Sequence, residues 1–119
     1  MNKHIVLIED NEELQTVIEL FLSNKGYRIT SYPALTSLEE LVAMHADLFI
    51  IDERLPAVSG HIICIMLHTN PATRSIPQIL ISGSPLLGKF AELAEVTATL
   101  HKPFELETLL EKVQELTDK

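Results

Sequence analysis

The chain has 119 residues, 46 % of them hydrophobic and only 5 % aromatic, and a formal charge of −8. That length fits one domain, 1–119, which buries about two-thirds of the unfolded chain's surface in a core of Ile, Leu and Val. An acidic surface repels phosphates, which argues against direct nucleic-acid binding, and no apolar run reaches the roughly 18 residues of a membrane span.

The elements follow in regular order. Ile5–Ile8 reads as a buried strand; a short apolar run in that position is too brief for a signal peptide, so a cytoplasmic location is the default. Leu14, Val17, Ile18 and Phe21, spaced i, i+3, i+4, i+7, mark a first helix that Gly26 is placed to end. Tyr27–Thr30 is a second strand, with Arg28 marking it as an edge, and Leu38, Leu41 and Val42 suggest a second helix. Leu48–Ile51 is a third strand, uninterrupted and apolar; Ile62, Ile65 and Met66 mark the helix after it. The lone Cys64 lies in that apolar stretch and reads as a buried small hydrophobe. Gln78–Ile81 is a fourth strand, Leu86–Ala94 a weak helix containing Gly88, and Val96–Leu100 a fifth strand of edge character. Leu106, Leu109, Leu110, Val113 and Leu116 define the last helix. The expected fold is therefore α/β, a flavodoxin-like doubly wound (βα)5 chain with a five-stranded parallel sheet in the order 2-1-3-4-5.

In such a sheet ligands bind beyond the carboxyl ends of the strands, at the switch point between strands 1 and 3. Glu9 and Asp10 follow strand 1, Asp52 follows strand 3, Ser82 and Gly83 follow strand 4, and His101, Lys102 and Pro103 follow strand 5. Three carboxylates brought together repel one another unless cations offset them. Lys102 supplies one positive charge, and an all-oxygen set without paired Cys or His points to Mg²⁺ or Mn²⁺ rather than Zn²⁺. Taken singly, Asp10 or Asn11 could be a cap of the first helix, Ser82 or Ser84 a cap of the fourth, and Asp52 and Lys102 surface charges. Their joint placement at one face favours a site.

The pattern resembles the receiver domains of response regulators over essentially the whole chain. The resemblance rests on Ile5-Val6-Leu7-Ile8-Glu9-Asp10, on Asp52 with Pro56 and Gly60 after it, on Asn70-Pro71-Ala72-Thr73-Arg74-Ser75-Ile76-Pro77, on Ser82, and on Lys102-Pro103-Phe104. It implies a two-component phosphorelay module, phosphorylated on Asp52 by a histidine kinase, phosphotransfer protein or small phosphodonor and slowly dephosphorylated, without being a turnover enzyme. It further implies Mg²⁺ held by Asp10 and Asp52, by Glu9 through water and by the backbone carbonyl of Arg54. Lys102 and Ser82 would contact the phosphoryl oxygens, and the Lys102–Pro103 bond would be cis. An output partner or fused effector domain is implied without being identified, and a homodimer is left open.

Two departures stand out. Thr99 occupies the position where receivers usually carry an aromatic switch residue, and the stretch from Ser82 to Lys102 is short, so the fourth helix is expected to be short or displaced, loosened at its start by Gly83 and Gly88. Signalling is then expected to rely on the Ser82 loop and the fourth helix. The alternative is a non-switching pseudo-receiver that acts as an interaction module. The Arg54 guanidinium is expected to pair with Glu9, Glu53 or the phosphoryl group, and none of the histidines has metal-ligand spacing.

Overall fold

A computed structural model describes residues 2–118. Strands and helices alternate: β1 (His4–Ile8), α1 (Glu12–Ser23), β2 (Arg28–Tyr32), α2 (Leu38–Ala43), β3 (Leu48–Asp52), α3 (Gly60–Thr69), β4 (Gln78–Ser82), α4 (Leu87–Ala94), β5 (Ala98–His101) and α5 (Leu106–Thr117). All neighbouring strands pair in parallel, in the order β2-β1-β3-β4-β5. This is the flavodoxin-like arrangement expected from the alternating pattern.

Alternation of side chains along each strand divides the core into layers on either face of the sheet. Val6, Ile8, Phe49, Ile51 and Leu80 pack against Leu41, Ile63, Leu67 and Leu87 of α2, α3 and α4. Ile5, Leu7, Leu48, Ile50, Ile79 and Ile81 pack against Ile18 and Leu22 of α1 and Leu109 and Val113 of α5. β1, β3 and β4 are buried along their whole length, which is why their sequences carry no polar alternation. Cys64 is fully buried in the first layer, as its apolar setting suggests.

Local chemistry sets the ends of the elements. Asn11 caps α1, its side chain accepting the Leu14 N–H at 2.9 Å, with Glu12 and Glu13 in the first turn. Gly26, at φ +96°, reverses the chain after α1. The edge strands differ in extent from the sequence reading. β2 begins at Arg28 and runs on to Tyr32, because Ser31 and Tyr32 pair with Leu7 and Ile8. β5 begins at Ala98, not Val96, because Glu95 takes the left-handed conformation (φ 53°) and the Glu95 and Val96 amides close back on Glu92 and Ala91. Those bonds form a Schellman motif that uses up the first residues of the apparent strand. Thr97 serves the neighbouring strand instead, its hydroxyl accepting the Gln78 N–H at 3.0 Å.

Candidate functional site

The carboxyl ends of β1 and β3 lie side by side, Ile8 opposite Ile51, so the residues that follow them are neighbours, and a cleft opens beside Asp52 on the β4 side. Its volume is about 510 Å³, and its walls include Asp52, Arg54, Ser82, Ser84 and Phe90. Glu9, Asp10 and Asp52 each offer a carboxylate oxygen, and these oxygens lie within 4.8 Å of one another. The three sequence-predicted acids are therefore brought together. Asp52 is the last residue of β3, not the first after it, and is 2 % exposed. Glu9 is buried as well, and Asp10 is exposed.

Each buried group has a defined electrostatic setting. Glu9 Oε2 accepts the Asn11 backbone N–H at 3.1 Å, while Oε1 is buried with no hydrogen-bond partner, 3.5 Å from Lys102 Nζ. Asp52 Oδ1 lies 3.0 Å from the same nitrogen. Burial pushes the Asp52 carboxyl above its ordinary pKa; Lys102 pulls it down, Asp10 pushes it up, and the Arg54 backbone amide favours the charged form. Burial likewise raises Glu9, with the Asn11 amide opposing and Asp52 adding. For Lys102 burial works toward a lower pKa, but the hydrogen bond and charge of Asp52, followed by Glu9, outweigh it and hold the ammonium above its ordinary value.

Lys102 reaches the cluster from beyond β5. Its N–H donates to the Ser82 carbonyl at 2.9 Å, and the Lys102–Pro103 bond is cis, as expected. Ser82 ends β4, is buried, and its Oγ accepts the Ser84 N–H at 2.9 Å; Ser84 Oγ then accepts the Leu86 N–H at 3.0 Å. Neither serine caps α4 in the ordinary sense. The helix starts at Leu87 after an N-cap, Leu86, that offers no side-chain bond, so its entry is built from successive hydroxyl turns. α4 is short, eight residues, as anticipated.

Thr99 sits in mid-strand on β5 opposite Leu80, half-buried. The expected pairing of Arg54 with Glu9 or Glu53 does not form. Glu9 faces Lys102, Glu53 binds His61 at 2.7 Å, and the Arg54 side chain is exposed, without an ion pair among the described residues. Sequence reading also missed His61 and Phe90, whose rings stack beside the cleft with centroids 4.7 Å apart. They lie on different helices, and no local spacing announces their contact.

The chain as a whole has counterparts among known proteins. The family profile described as the response regulator receiver domain matches residues 5–114. The chain belongs to this family. The receiver domain is 30 % identical over 112 residues to the response regulator ArlR of Staphylococcus aureus, covering 92 % of this chain and 50 % of the relative. It thus spans about half the length of the curated relatives it matches. Its fold superposes on the receiver domain of the sensor histidine kinase PA1611 of Pseudomonas aeruginosa, crystallised with magnesium in its active-site cleft, with a TM-score of 0.90 at 27 % identity, covering 100 % of each chain. It also superposes on the response regulator TrrA of Thermotoga maritima in complex with Mg²⁺–BeF, with a TM-score of 0.85 at 22 % identity, covering 96 % and 98 % of the chains. No helix among the described residues is long and apolar enough to cross a membrane.

Proposed function

We propose that this receiver domain accepts a phosphoryl group on Asp52 in a Mg²⁺-dependent reaction, from a histidine kinase, a phosphotransfer protein or a small phosphodonor, and later loses it to water. The observation that carries the proposal is the convergence of Asp52, Glu9, Asp10 and Lys102 at one strand end.

The residues fit a hard divalent cation. They offer carboxylate oxygens only, Glu9 Oε1 is buried without a hydrogen-bond partner, and three acids face a single lysine. Asp10 and Asp52 would hold the ion directly, Glu9 through water, with the Arg54 carbonyl completing the set. When bound, Mg²⁺ neutralises charge on the phosphoryl oxygens and relieves repulsion among the acids.

The chain's own groups supply the rest. An Asp52 carboxylate oxygen attacks phosphorus; the donor's bond to phosphorus breaks, and its electron pair leaves with the donor. Lys102 neutralises a phosphoryl oxygen as a point charge, exchanging part of its contact with Asp52 for one with the new group. The Ser82 hydroxyl donates its free proton to another phosphoryl oxygen while still accepting from Ser84. Attack by water on phosphorus then releases inorganic phosphate and restores the carboxylate. The magnesium in the PA1611 receiver domain supports the ion assignment by similarity.

Incubation with acetyl phosphate and Mg²⁺, beside Asp52→Asn, tests the proposal by intact mass. A Mg²⁺-dependent gain of one phosphate that the variant lacks is expected. No gain from any donor, including a kinase, would overturn it in favour of a non-switching interaction module.

A further inference from the structure

A chain of side chains runs from the phosphoacceptor end of β3 to α4. Glu53 follows Asp52 directly. Its Oε1 accepts the backbone N–H of His61 at 2.8 Å, and its Oε2 lies 2.7 Å from His61 Nδ1. The imidazole stacks on Phe90 of α4 with 11° between the ring planes. The Glu53 and His61 side chains are only 11 % and 16 % exposed, and Phe90 forms part of the cleft wall.

Part of this arrangement serves α3 alone. Ser59, at the N-cap, makes no side-chain cap bond, and the Glu53 carboxylate satisfies the His61 amide in its place while setting a negative charge at the positive end of the helix. Capping needs only one oxygen. The second oxygen is spent on the imidazole, and the imidazole on α4, which a cap does not require.

The consequence lies in what Glu53 connects. Its N–H donates to the Ile81 carbonyl at 2.7 Å, and its carbonyl accepts the Gly60 N–H at 2.9 Å. With the side chain clamped too, the residue between Asp52 and Arg54 is fixed at every polar atom. The Arg54 carbonyl, the backbone ligand proposed for Mg²⁺, is the next carbonyl along. α4 is therefore tied to the cleft twice: at its start through the Ser82–Ser84 hydroxyl turns, and at Phe90 through His61 and Glu53.

We propose that Glu53, His61 and Phe90 are positioning residues that hold the Glu53–Arg54 backbone in place for Mg²⁺ and couple the state of the cleft to the position of α4. This rests on the proposed Mg²⁺ and phosphoryl chemistry. The coupling is reciprocal: whatever Mg²⁺ does to α4 through the stack, the stack does to Mg²⁺ affinity by the same factor.

The test uses the whole chain and measures Mg²⁺ affinity and backbone amide shifts by ¹⁵N NMR. His61→Phe keeps a stacking ring and removes the contact to Glu53 Oε2. Phe90→Leu keeps apolar bulk and removes the stack. Each is expected to weaken Mg²⁺ binding about 2- to 10-fold, the worth of one aromatic pair or hydrogen bond. The double variant should lose less than the product of the singles, because both act through one contact. Mg²⁺-induced shifts over Leu87–Ala94 should shrink in all three. A purely structural role would lower the melting temperature and leave affinity and shifts alone. Folded variants that bind Mg²⁺ within twofold of wild type, with unaltered α4 shifts, would overturn the proposal. A wild-type protein that binds no Mg²⁺ would instead overturn the functional reading, and this inference with it.

Discussion

Gly60 is the residue whose smallest enlargement should cost most. A Cβ at this position would lie 2.1 Å from the Asp52 carbonyl oxygen, 2.7 Å from its carbon and 2.8 Å from Glu53 Cα. All three are backbone atoms, so no side chain can swing aside. Non-bonded carbon contacts are optimal near about 3.5 Å. The first turn of α3 must therefore retreat from β3 by more than an ångström. The Gly60 N–H bond to the Glu53 carbonyl (2.9 Å) and the His61 N–H bond to Glu53 Oε1 (2.8 Å) span that gap and would stretch or break. Overpacking costs about 1–3 kcal/mol and each of the two lost hydrogen bonds about 0.5–1.5 kcal/mol, so Gly60→Ala should lose about 2–6 kcal/mol. That is a large share of a typical domain's total, and for a chain of this size it lowers the melting temperature by roughly 10–20 °C. Urea denaturation followed by far-UV circular dichroism should show a lower midpoint at unchanged slope. Gly88 supplies the control. It is exposed in the first turn of α4, and a methyl group there would meet nothing within 4 Å, so Gly88→Ala should stabilise by about 0.5–1 kcal/mol. A Gly60→Ala variant within about 1 kcal/mol of wild type, near the scale that single surface changes occupy, would refute the close approach of α3 to β3.

Other consequences follow from burial. Burial, with Asp10 adding, raises the Asp52 carboxyl above its ordinary 3.8, so the folded protein holds this proton more tightly than the unfolded chain. Stability is then lost as pH rises from that unfolded value through the folded one. Asp52→Asn should raise the melting temperature at pH 7 in the presence of a chelator, with the gain closing as pH falls below about 3.8; a lower melting temperature at pH 7 would mean that pairing with Lys102 outweighs burial. His4 is held below 6.5 by burial and by Arg28, against the Met44 carbonyl and Asp47, so its folded form resists protonation and stability falls as pH drops through 6.5. An NMR midpoint for His4 at or above 6.5 would contradict this. Burial, then the charge of Glu53, pushes the Cys64 thiol up to about 12, so iodoacetamide at pH 8 should label it only as the protein unfolds. Rapid labelling of the native protein would show that the α3 layer opens locally.

The sheet was legible because strands covered on both faces are written as nearly unbroken apolar runs, and Ile5–Ile8, Leu48–Ile51 and Ile79–Ile81 are such runs. The acids were legible for a topological reason: the order 2-1-3-4-5 makes β1 and β3 neighbours, so whatever follows Ile8 and Ile51 must meet. The edges were less legible, since Val96 and Thr97 have strand propensity but are spent on closing α4 and pairing with Gln78. The expected carboxylate partners of Arg54 were misread because their rivals were out of sight. The N-terminus of α3 attracts the Glu53 carboxylate more effectively than a solvated guanidinium does, and only the packed loop brings His61 within reach. The stack of His61 on Phe90 depends on how α3 and α4 pack, which no spacing within either helix encodes.

The same geometry identifies the wall of the cleft that can move. Asp52 is buried at the end of β3 and Glu9 is buried directly after β1, and β3 is pinned on both sides by paired neighbours. α4 is held differently. It commits only Leu87 and Ala94 fully to the core, while Leu86 and Leu93 remain 50 % and 68 % exposed. Elements with few buried apolar contacts occupy the low end of local stability. Its entry depends on the Ser82 and Ser84 hydroxyls, and its middle on the ring of His61. On the proposed function, a phosphoryl group on Asp52 would act on Ser82, which shares the cleft wall with it, and, through Glu53, on His61. It would then reach α4 at both attachments without needing Thr99, which lies on β5 opposite Leu80 and outside the cleft wall.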